Sequence, residues 1–250
     1  MRNHLSKLFF ILLLLLLCGH ATAQTQALPK LTVGLDAAEN PSDVAVTLQI
    51  ILLMTVLSLV PAIIIMMTSF TRIAIVFSFL RQGLATQQSP PTQVLLGLAL
   101  FLTIFIMAPV GKDINDNAVQ PYLKGDIPQR EALDNASRPL KNFMLKQTRE
   151  KDLMLFVDMS KMEQPNSAED LPLQVIIPSF MISEIRIAFQ IGFLIYVPLL
   201  VLDMVIASVL MSMGMMMLPP MMISLPFKLI LFVLVDGWNL LVGSLVAGFH

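Results

Sequence analysis

The sequence predicts an all-α membrane protein built from kinked helical hairpins. Hydrophobic residues make up 56% of its 250 residues and charged residues only 13%, a composition typical of membrane proteins rather than soluble ones. Several uncharged runs are long enough for a membrane-spanning helix, and prolines and isolated charges interrupt the apolar stretches. Because broken backbone is costly against lipid, we expect much of the chain to be covered by protein, as in a subunit of an assembly.

Residues 1–23 have the pattern of a secretory signal peptide. Arg2 and Lys7 are basic, a short apolar core follows them, and Ala23 ends a small-residue cleavage motif. Cleavage after Ala23 would place the mature N-terminus outside the cytoplasmic membrane, and an uncleaved anchor is the alternative. Residues 24–43 are predicted to form an exposed, irregular lead-in.

Residues 44–111 are predicted to form the first hydrophobic hairpin. The run over 44–71 has no charged residue, and Pro61 is expected to kink or break it. Arg72 and Arg81 lie between this run and the next one, without any acidic residue. An excess of basic residues marks the cytoplasmic side of a membrane, so this pattern and the signal peptide predict the same orientation.

Residues 112–174 form the one polar segment, and the predicted orientation places it in the periplasm. A loop of this length is translocated regardless of its charges. Apolar residues recur among charged ones over 129–156, which predicts helix there. This helix would either pack its apolar face against a partner or lie solvated in the loop.

The second hydrophobic hairpin, residues 175–250, carries isolated charges inside its apolar runs. An ionisable side chain at the centre of a bilayer costs about 2.5 kcal/mol or more, so it normally faces protein, water or an opposite charge. The charges within each run do not share a helix face, so we expect partners on other helices or other subunits. Glu184 and Arg186 would alternatively lie at the membrane interface and reach water. The candidate buried or inter-subunit charges of the whole chain are Arg72, Glu184, Arg186, Asp203, Lys228 and Asp236.

A methionine-rich loop, residues 211–222, separates the two apolar runs of this second hairpin. Gly214 frees the backbone within it, and Pro219 and Pro220 interrupt helix. Methionine is unbranched and polarizable, so a ring of such loops would seal around cargo of varying shape and then repack. The alternative is that these methionines fill gaps between helices.

Composition argues against several classes of function. The net charge of −1 offers no basic field for nucleic acid. The single cysteine and two of the three histidines lie within residues 1–23, so we expect no enzyme activity, no Cys/His metal site and no cofactor. Intramembrane charge alone leaves an ion or proton transporter as an alternative, with Asp203, Lys228 and Asp236 as its relay.

Three stretches of the sequence carry a family resemblance. They are MTSFTRIAIVFSFLRQGLATQQSPP with QVLLGLALFLTIFIMAPV over 67–110, PSFMISEIRIAFQIGF over 178–193, and DMVIASVLMSMGMMMLPPMMISLPFKLILFVLVDGW over 203–238. In these stretches the chain resembles the FliP family, core components of the flagellar type III secretion export gate. The signal peptide favours this flagellar branch over the virulence-type (injectisome) counterparts, which stay the alternative.

The resemblance implies a channel-forming subunit of the bacterial cytoplasmic (inner) membrane, in the flagellar basal body. About five copies would assemble with FliR, FliQ and other export-apparatus membrane proteins into a helical channel that contacts lipid and passes unfolded flagellar substrates. The loops would meet as a pore gasket that blocks ions and water at rest, shaped by Gly214, Pro219 and Pro220. The resemblance also implies tilted hairpins that stand partly above the membrane, so hydropathy does not fix bilayer depth. The implied gasket residues are Met211, Met213, Met215, Met216 and Met217.

Overall fold

A computed structural model describes residues 41–86, 89–162, 167–215 and 219–249. The expected cleavage site at Ala23 and most of the expected lead-in lie outside these residues. The chain divides into two units, residues 1–52 and residues 53–250. The described end of the first unit is helical, and all packing reported below lies within the second.

The described residues are predominantly helical and contain no strand, which confirms the all-α fold. The described residues also include a π-helical turn, Asn115–Val119, and a short 3₁₀ helix, Ala168–Asp170. In chain order the α-helices are α1 (Pro41–Met66), α2 (Phe70–Gly83), α3 (Thr92–Ile114), α4 (Gln120–Lys124), α5 (Gln129–Gln147), α6 (Glu150–Ser160), α7 (Leu173–Ser212), α8 (Pro220–Leu234) and α9 (Gly237–Ala247).

Three helical stretches in the described part of the chain are long and apolar enough to cross a membrane, namely Thr47–Met66, Thr92–Lys124 and Leu173–Ser212. A fourth span is formed if α8 and α9 count as one, although a bend of 62° separates them. These lengths exceed or match the roughly 20 residues that a bilayer requires. The chain is therefore an all-α membrane protein, as its composition predicts.

Pro61 does not break α1, so of the kink or break expected from the sequence only the break is excluded. The helix runs through this residue without interruption to Met66. A proline removes only one backbone donor, and the remaining turns of a long apolar helix keep their own hydrogen bonds. The chain breaks instead at residues 67–69, directly before α2 begins at Phe70.

α3 does not end where charged residues begin. The helix continues through Lys112 and Asp113, passes through the π-helical turn and reaches Lys124. Gly125 then ends it in the left-handed conformation, with φ of +81°. The backbone of a helix can keep its hydrogen bonds in apolar and in polar surroundings, so helix continues past the change of composition near residue 112.

The polar segment is largely helical rather than a loop. The helix predicted over 129–156 is present as two helices, α5 and α6, because Thr148 and Arg149 between them are extended. Apolar side chains of α5 and α6 pack against the first part of α7. This second core consists of Met67, Met144, Val157, Leu171, Val175, Ile176 and Phe180.

The main core lies where α2 packs against α7, with α3 and α9 beside them. α2 contributes apolar residues at the i, i+3, i+4, i+7 spacing of a buried helix face. The members of this core are Ile73, Val76, Phe77, Leu80, Leu84, Leu95, Ala99, Ile106, Ala188, Leu199, Leu241, Leu245 and Phe249.

A glycine lets α2 and α7 approach closely. A Cβ atom placed on Gly192 of α7 would lie 2.6 Å from the ring of Phe79 on α2, closer than carbon atoms pack. Gly243, in the interior of α9, differs because a Cβ there would meet no heavy atom within 4 Å. The first glycine is therefore required by packing and the second is not.

Arg72 joins four parts of the chain at one buried point. Its Nε donates to Glu184 Oε2 at 2.8 Å and its Nη2 donates to the other carboxylate oxygen, which links α2 to α7. Nη2 also donates to Gln147 Oε1 at the end of α5 (3.0 Å), and Nη1 donates to the carbonyl oxygen of Gly248 beyond α9 (3.3 Å). The guanidinium carbon lies 3.8 Å from the centroid of the Phe249 ring.

The two charges of this pair are removed from solvent almost completely. Arg72 is 2% exposed and Glu184 is 0% exposed. The fixed fork of the guanidinium makes its hydrogen bonds directional, so α2, α5, α7 and the segment after α9 have to be in register together.

We expect Gly192→Ala to destabilise the protein and Gly243→Ala to leave it unchanged or slightly more stable. The first methyl group overpacks the contact with Phe79, which costs about 1–3 kcal/mol, whereas the second improves helix propensity in open space by up to about 1 kcal/mol. Thermal unfolding of the purified variants in detergent, followed by circular dichroism, measures the difference. Equal midpoints for the two variants would contradict the close approach of α2 and α7.

We expect Glu184→Gln to lower the free energy of unfolding by about 3–5 kcal/mol, because it leaves the buried Arg72 guanidinium without a counter-charge. Glu169→Gln, at an exposed position, is the matched control and is expected to have little effect. The double variant Arg72→Met/Glu184→Met removes both charges and should recover much of the loss. Denaturation in detergent compares the three, and a Glu184→Gln protein as stable as the control would refute the assignment.

Candidate functional site

The methionine loop begins where a glycine ends α7. Gly214 adopts φ of +76°, a left-handed conformation that residues with side chains rarely adopt. Its N–H donates to the Met211 carbonyl oxygen (3.0 Å), and the Met215 N–H donates to the Leu210 carbonyl oxygen (3.0 Å). This pair of hydrogen bonds is the Schellman arrangement, so the sequence itself stops the helix here and turns the chain.

Two prolines begin the helix on the other side of the loop. Pro219 is extended, with φ of −63° and ψ of 118°, and Pro220 is the first residue of α8. A proline is favoured at this position because its missing N–H would have no partner in the first turn, and its φ is already helical. Met211 and Ser212 of the predicted loop, 211–222, therefore lie in the last turn of α7, and its last three residues lie in α8.

The described methionines of the loop do not fill gaps inside this chain. Met211 is 57% exposed, Met213 is 68% exposed and Met215 is 41% exposed. Met216 and Met217 lie outside the described residues. Exposed thioether side chains on a short turn between two apolar helices form a soft, deformable surface.

Lys228 lies buried behind this loop and connects three helices. Its Nζ donates to Asp203 Oδ2 on α7 at 2.6 Å and to the carbonyl oxygen of Gly83, the last residue of α2, at 2.9 Å. Lys228 is 2% exposed, whereas the Asp203 side chain is partly exposed. The ammonium group also lies at the carboxyl end of α2, where the helix dipole favours a cation.

The remaining two candidate charges are exposed. Arg186 lies on α7 beside the buried Glu184, and its own side chain faces outward. Asp236 lies at the bend between α8 and α9 with φ of +52°, and its Oδ2 accepts a hydrogen bond from Asn239 Nδ2 at 3.1 Å. The alternative that Glu184 lies at the membrane interface and reaches water does not hold, because this residue is fully buried against Arg72.

A third buried polar contact was not anticipated from the sequence. Ser183 Oγ donates to Asp152 Oδ2 at 2.8 Å and accepts a hydrogen bond from the Arg149 N–H at 3.1 Å. This contact holds the junction of α5 and α6 against α7. No spacing rule identifies it, since Asp152 reads as an ordinary acidic residue in the first turn of a helix.

The described part of the site presents apolar packing and paired charges. Among the described residues, no group of three or more His, Cys, Asp or Glu side chains is placed to hold a metal ion. The carboxylates of Glu184 and Asp203 each have a cationic partner on another helix. The described geometry is an exposed methionine turn that follows α7, and the ion pair between Asp203 and Lys228 joins α7 to α8.

Comparison with known proteins matches residues 53–245 to the FliP family. The flagellar biosynthetic protein FliP of Bacillus subtilis is 56% identical over 217 residues, which cover 87% of this chain and 98% of that protein. FliP of Caulobacter vibrioides is 52% identical over 230 residues, covering 92% of this chain and 85% of the relative. FliP of Treponema denticola is 44% identical over 228 residues, covering 90% and 84%.

Apolar helices of similar composition do not by themselves give a match this long or an identity this high. The matched region includes the methionine loop, both buried ion pairs and every helix from α2 to α8. The chain belongs to the FliP family of flagellar biosynthetic proteins, membrane-associated components of the type III export apparatus.

Proposed function

We propose that this protein is a channel-forming core subunit of the flagellar type III export gate. In this proposal it passes unfolded flagellar proteins across the cytoplasmic membrane, and its methionine loop is the gasket of the pore. The observation that carries the proposal is the exposed methionine turn, Met211 to Met215, held between two apolar helices. A surface of flexible thioethers excludes water and ions, yet it deforms around a chain of varying side chains.

The exposed apolar surface supports an assembly of several copies. On α3 the large side chains of Phe101 and Phe105 are exposed, and on α7 those of Phe193, Leu194 and Met204 are exposed. Apolar surface of this extent is covered by lipid, by another subunit or by both. We propose about five copies with FliR and FliQ, together with other membrane proteins of the export apparatus.

Of the two arginines between the first two apolar runs, only Arg81 supports an orientation in the membrane. Arg72 is buried and paired, so it adds no free charge to a cytoplasmic loop. Arg81 is partly exposed and donates to Thr92 Oγ1 at 2.8 Å. We propose that the turn between α2 and α3, with Arg81, faces the cytoplasmic side of the bacterial inner membrane.

The structure offers less support for an ion or proton transporter. Asp203 and Lys228 neutralise each other within the chain, and Asp236 is exposed with a hydrogen bond from a neighbouring asparagine. A proton relay requires groups that exchange partners, whereas Lys228 is enclosed by two acceptors. The similarity to flagellar proteins likewise favours the flagellar gate over a virulence-type gate.

We expect alanine substitutions of Met211, Met213 and Met215, alone and combined with Met216 and Met217, to let ions pass through the closed gate. Smaller side chains leave a gap that thioethers otherwise fill. Potassium efflux or bilayer conductance of the assembled complex measures the effect. Met159→Ala, at an exposed methionine of α6 outside the loop, is the matched control and should stay tight. Equal conductance of loop and control variants would rule out the gasket.

We expect native mass spectrometry of the detergent-extracted protein to show a discrete assembly of several copies, with further subunits when FliR and FliQ are co-expressed. The exposed apolar faces of α3 and α7 require such partners once lipid is removed. A stable monomer or dimer whose mass is unaffected by the partners would contradict the proposal.

A further inference from the structure

The ion pair between Asp203 and Lys228 connects the two stems of the methionine loop. Asp203 lies on α7, about two helical turns before Met211, and Lys228 lies on α8, about two turns after Pro220. Their contact of 2.6 Å therefore fixes the separation of the two helices close to the loop. We call it the loop-stem pair.

The loop-stem pair is also anchored to the body of the protein. Lys228 Nζ donates to the carbonyl oxygen of Gly83 at the end of α2, the helix that forms the main core with α7. One ammonium group thus holds α7, α8 and α2 at a single point. Because Lys228 is 2% exposed, water does not replace these acceptors.

Asp203 depends on Lys228 for its position. Its second oxygen, Oδ1, is buried and accepts no hydrogen bond in the described part of the chain. Without Lys228 the carboxylate would keep no cationic partner among the described ion pairs. The aspartate is then free to turn away, and the stems lose their only described polar link.

Residues 211–215 are the described part of the loop next to α7. The described methionines Met211, Met213 and Met215 are exposed, and the turn is ordered mainly by two backbone hydrogen bonds at the end of α7. The exposed side chains of these described residues add little packing, so the stems set where residues 211–215 lie.

We propose that Lys228 is a positioning residue for the methionine loop. Through Asp203 and Gly83 it holds the two stems at one separation and so sets how far the methionines reach toward the channel axis. The link from stem separation to a tight seal rests on the proposed function. The separation of the stems itself can be measured whether or not the loop is a gasket. Lys228 contacts no transported chain in this proposal and acts only through the loop.

The test uses a double variant, because a single substitution leaves a buried charge unpaired and risks loss of assembly. Asp203→Leu/Lys228→Met removes both charges of the loop-stem pair. The control is Arg72→Met/Glu184→Met, which removes the other buried pair whose acidic residue lies on α7. Glu184 is 27 residues from Met211, about 40 Å along α7, so this control removes a buried pair far from the loop.

The first readout is the distance between spin labels on the two stems. Labels are attached through Met211→Cys and Met222→Cys in a Cys18→Ser background, in complexes that contain few labelled copies. Pulsed electron paramagnetic resonance should give a narrow distance distribution for the otherwise unchanged protein and for the control. The loop-stem double variant should give a broad or shifted one. A narrow, unshifted distribution in that variant overturns the inference.

The second readout is the ion conductance of the same complexes without labels. The loop-stem double variant should conduct more than the control, in the direction of the methionine-to-alanine variants. A broadened distance with unchanged conductance overturns the claim that stem separation sets the seal. If the methionine variants themselves stay tight, the proposed gasket fails, while the distance measurement still decides whether Lys228 positions the loop.

Discussion

The structure depends on a single buried charge pair, Arg72 with Glu184. Removing two charged groups from water costs desolvation free energy. Their mutual attraction offsets this cost only when the hydrogen-bond geometry is good. Here the offset comes from a guanidinium that also reaches Gln147, the Gly248 carbonyl oxygen and the face of Phe249. Hydrophobic contacts are tolerant of small sliding movements, whereas these hydrogen bonds are not. The pair therefore selects one register among the many in which apolar helices pack.

Both ion pairs follow the same plan, with the acid on α7 and the base on a neighbouring helix. Glu184 and Asp203 lie about 28 Å apart along α7, and their cations come from α2 and α8. α2 and α8 are thus each attached to α7, at the positions of Glu184 and Asp203. Lys228 returns to α2 through Gly83, so the same two helices are connected at both positions. Through this closed arrangement one long helix carries a packed core along its length and the exposed methionines at its carboxyl end.

Much of this architecture was accessible from the sequence because it rests on local chemistry. Apolar runs predicted the long helices, and Gly214, Pro219 and Pro220 predicted an interruption of helix between them. The need of Glu184, Asp203 and Lys228 for partners also followed from their surroundings. The partners themselves did not follow, since Arg72 and Glu184 are far apart in the chain and no local pattern encodes such a contact. Local composition did not show that helix continues through Pro61 and past residue 112, because backbone hydrogen bonds continue across a change of surroundings.

The length of α7 has a consequence for the synthesis of the protein. Its 40 residues extend about 60 Å, about twice the hydrocarbon thickness of a bilayer. Lipid alone does not cover such a helix, and Phe193 and Leu194 near its middle are exposed in the isolated chain. A newly made copy therefore exposes apolar surface until other subunits of the proposed assembly cover it. In the proposed assembly, subunits made at the same time and place would cover this surface, and an excess copy would be exposed to proteolysis and aggregation.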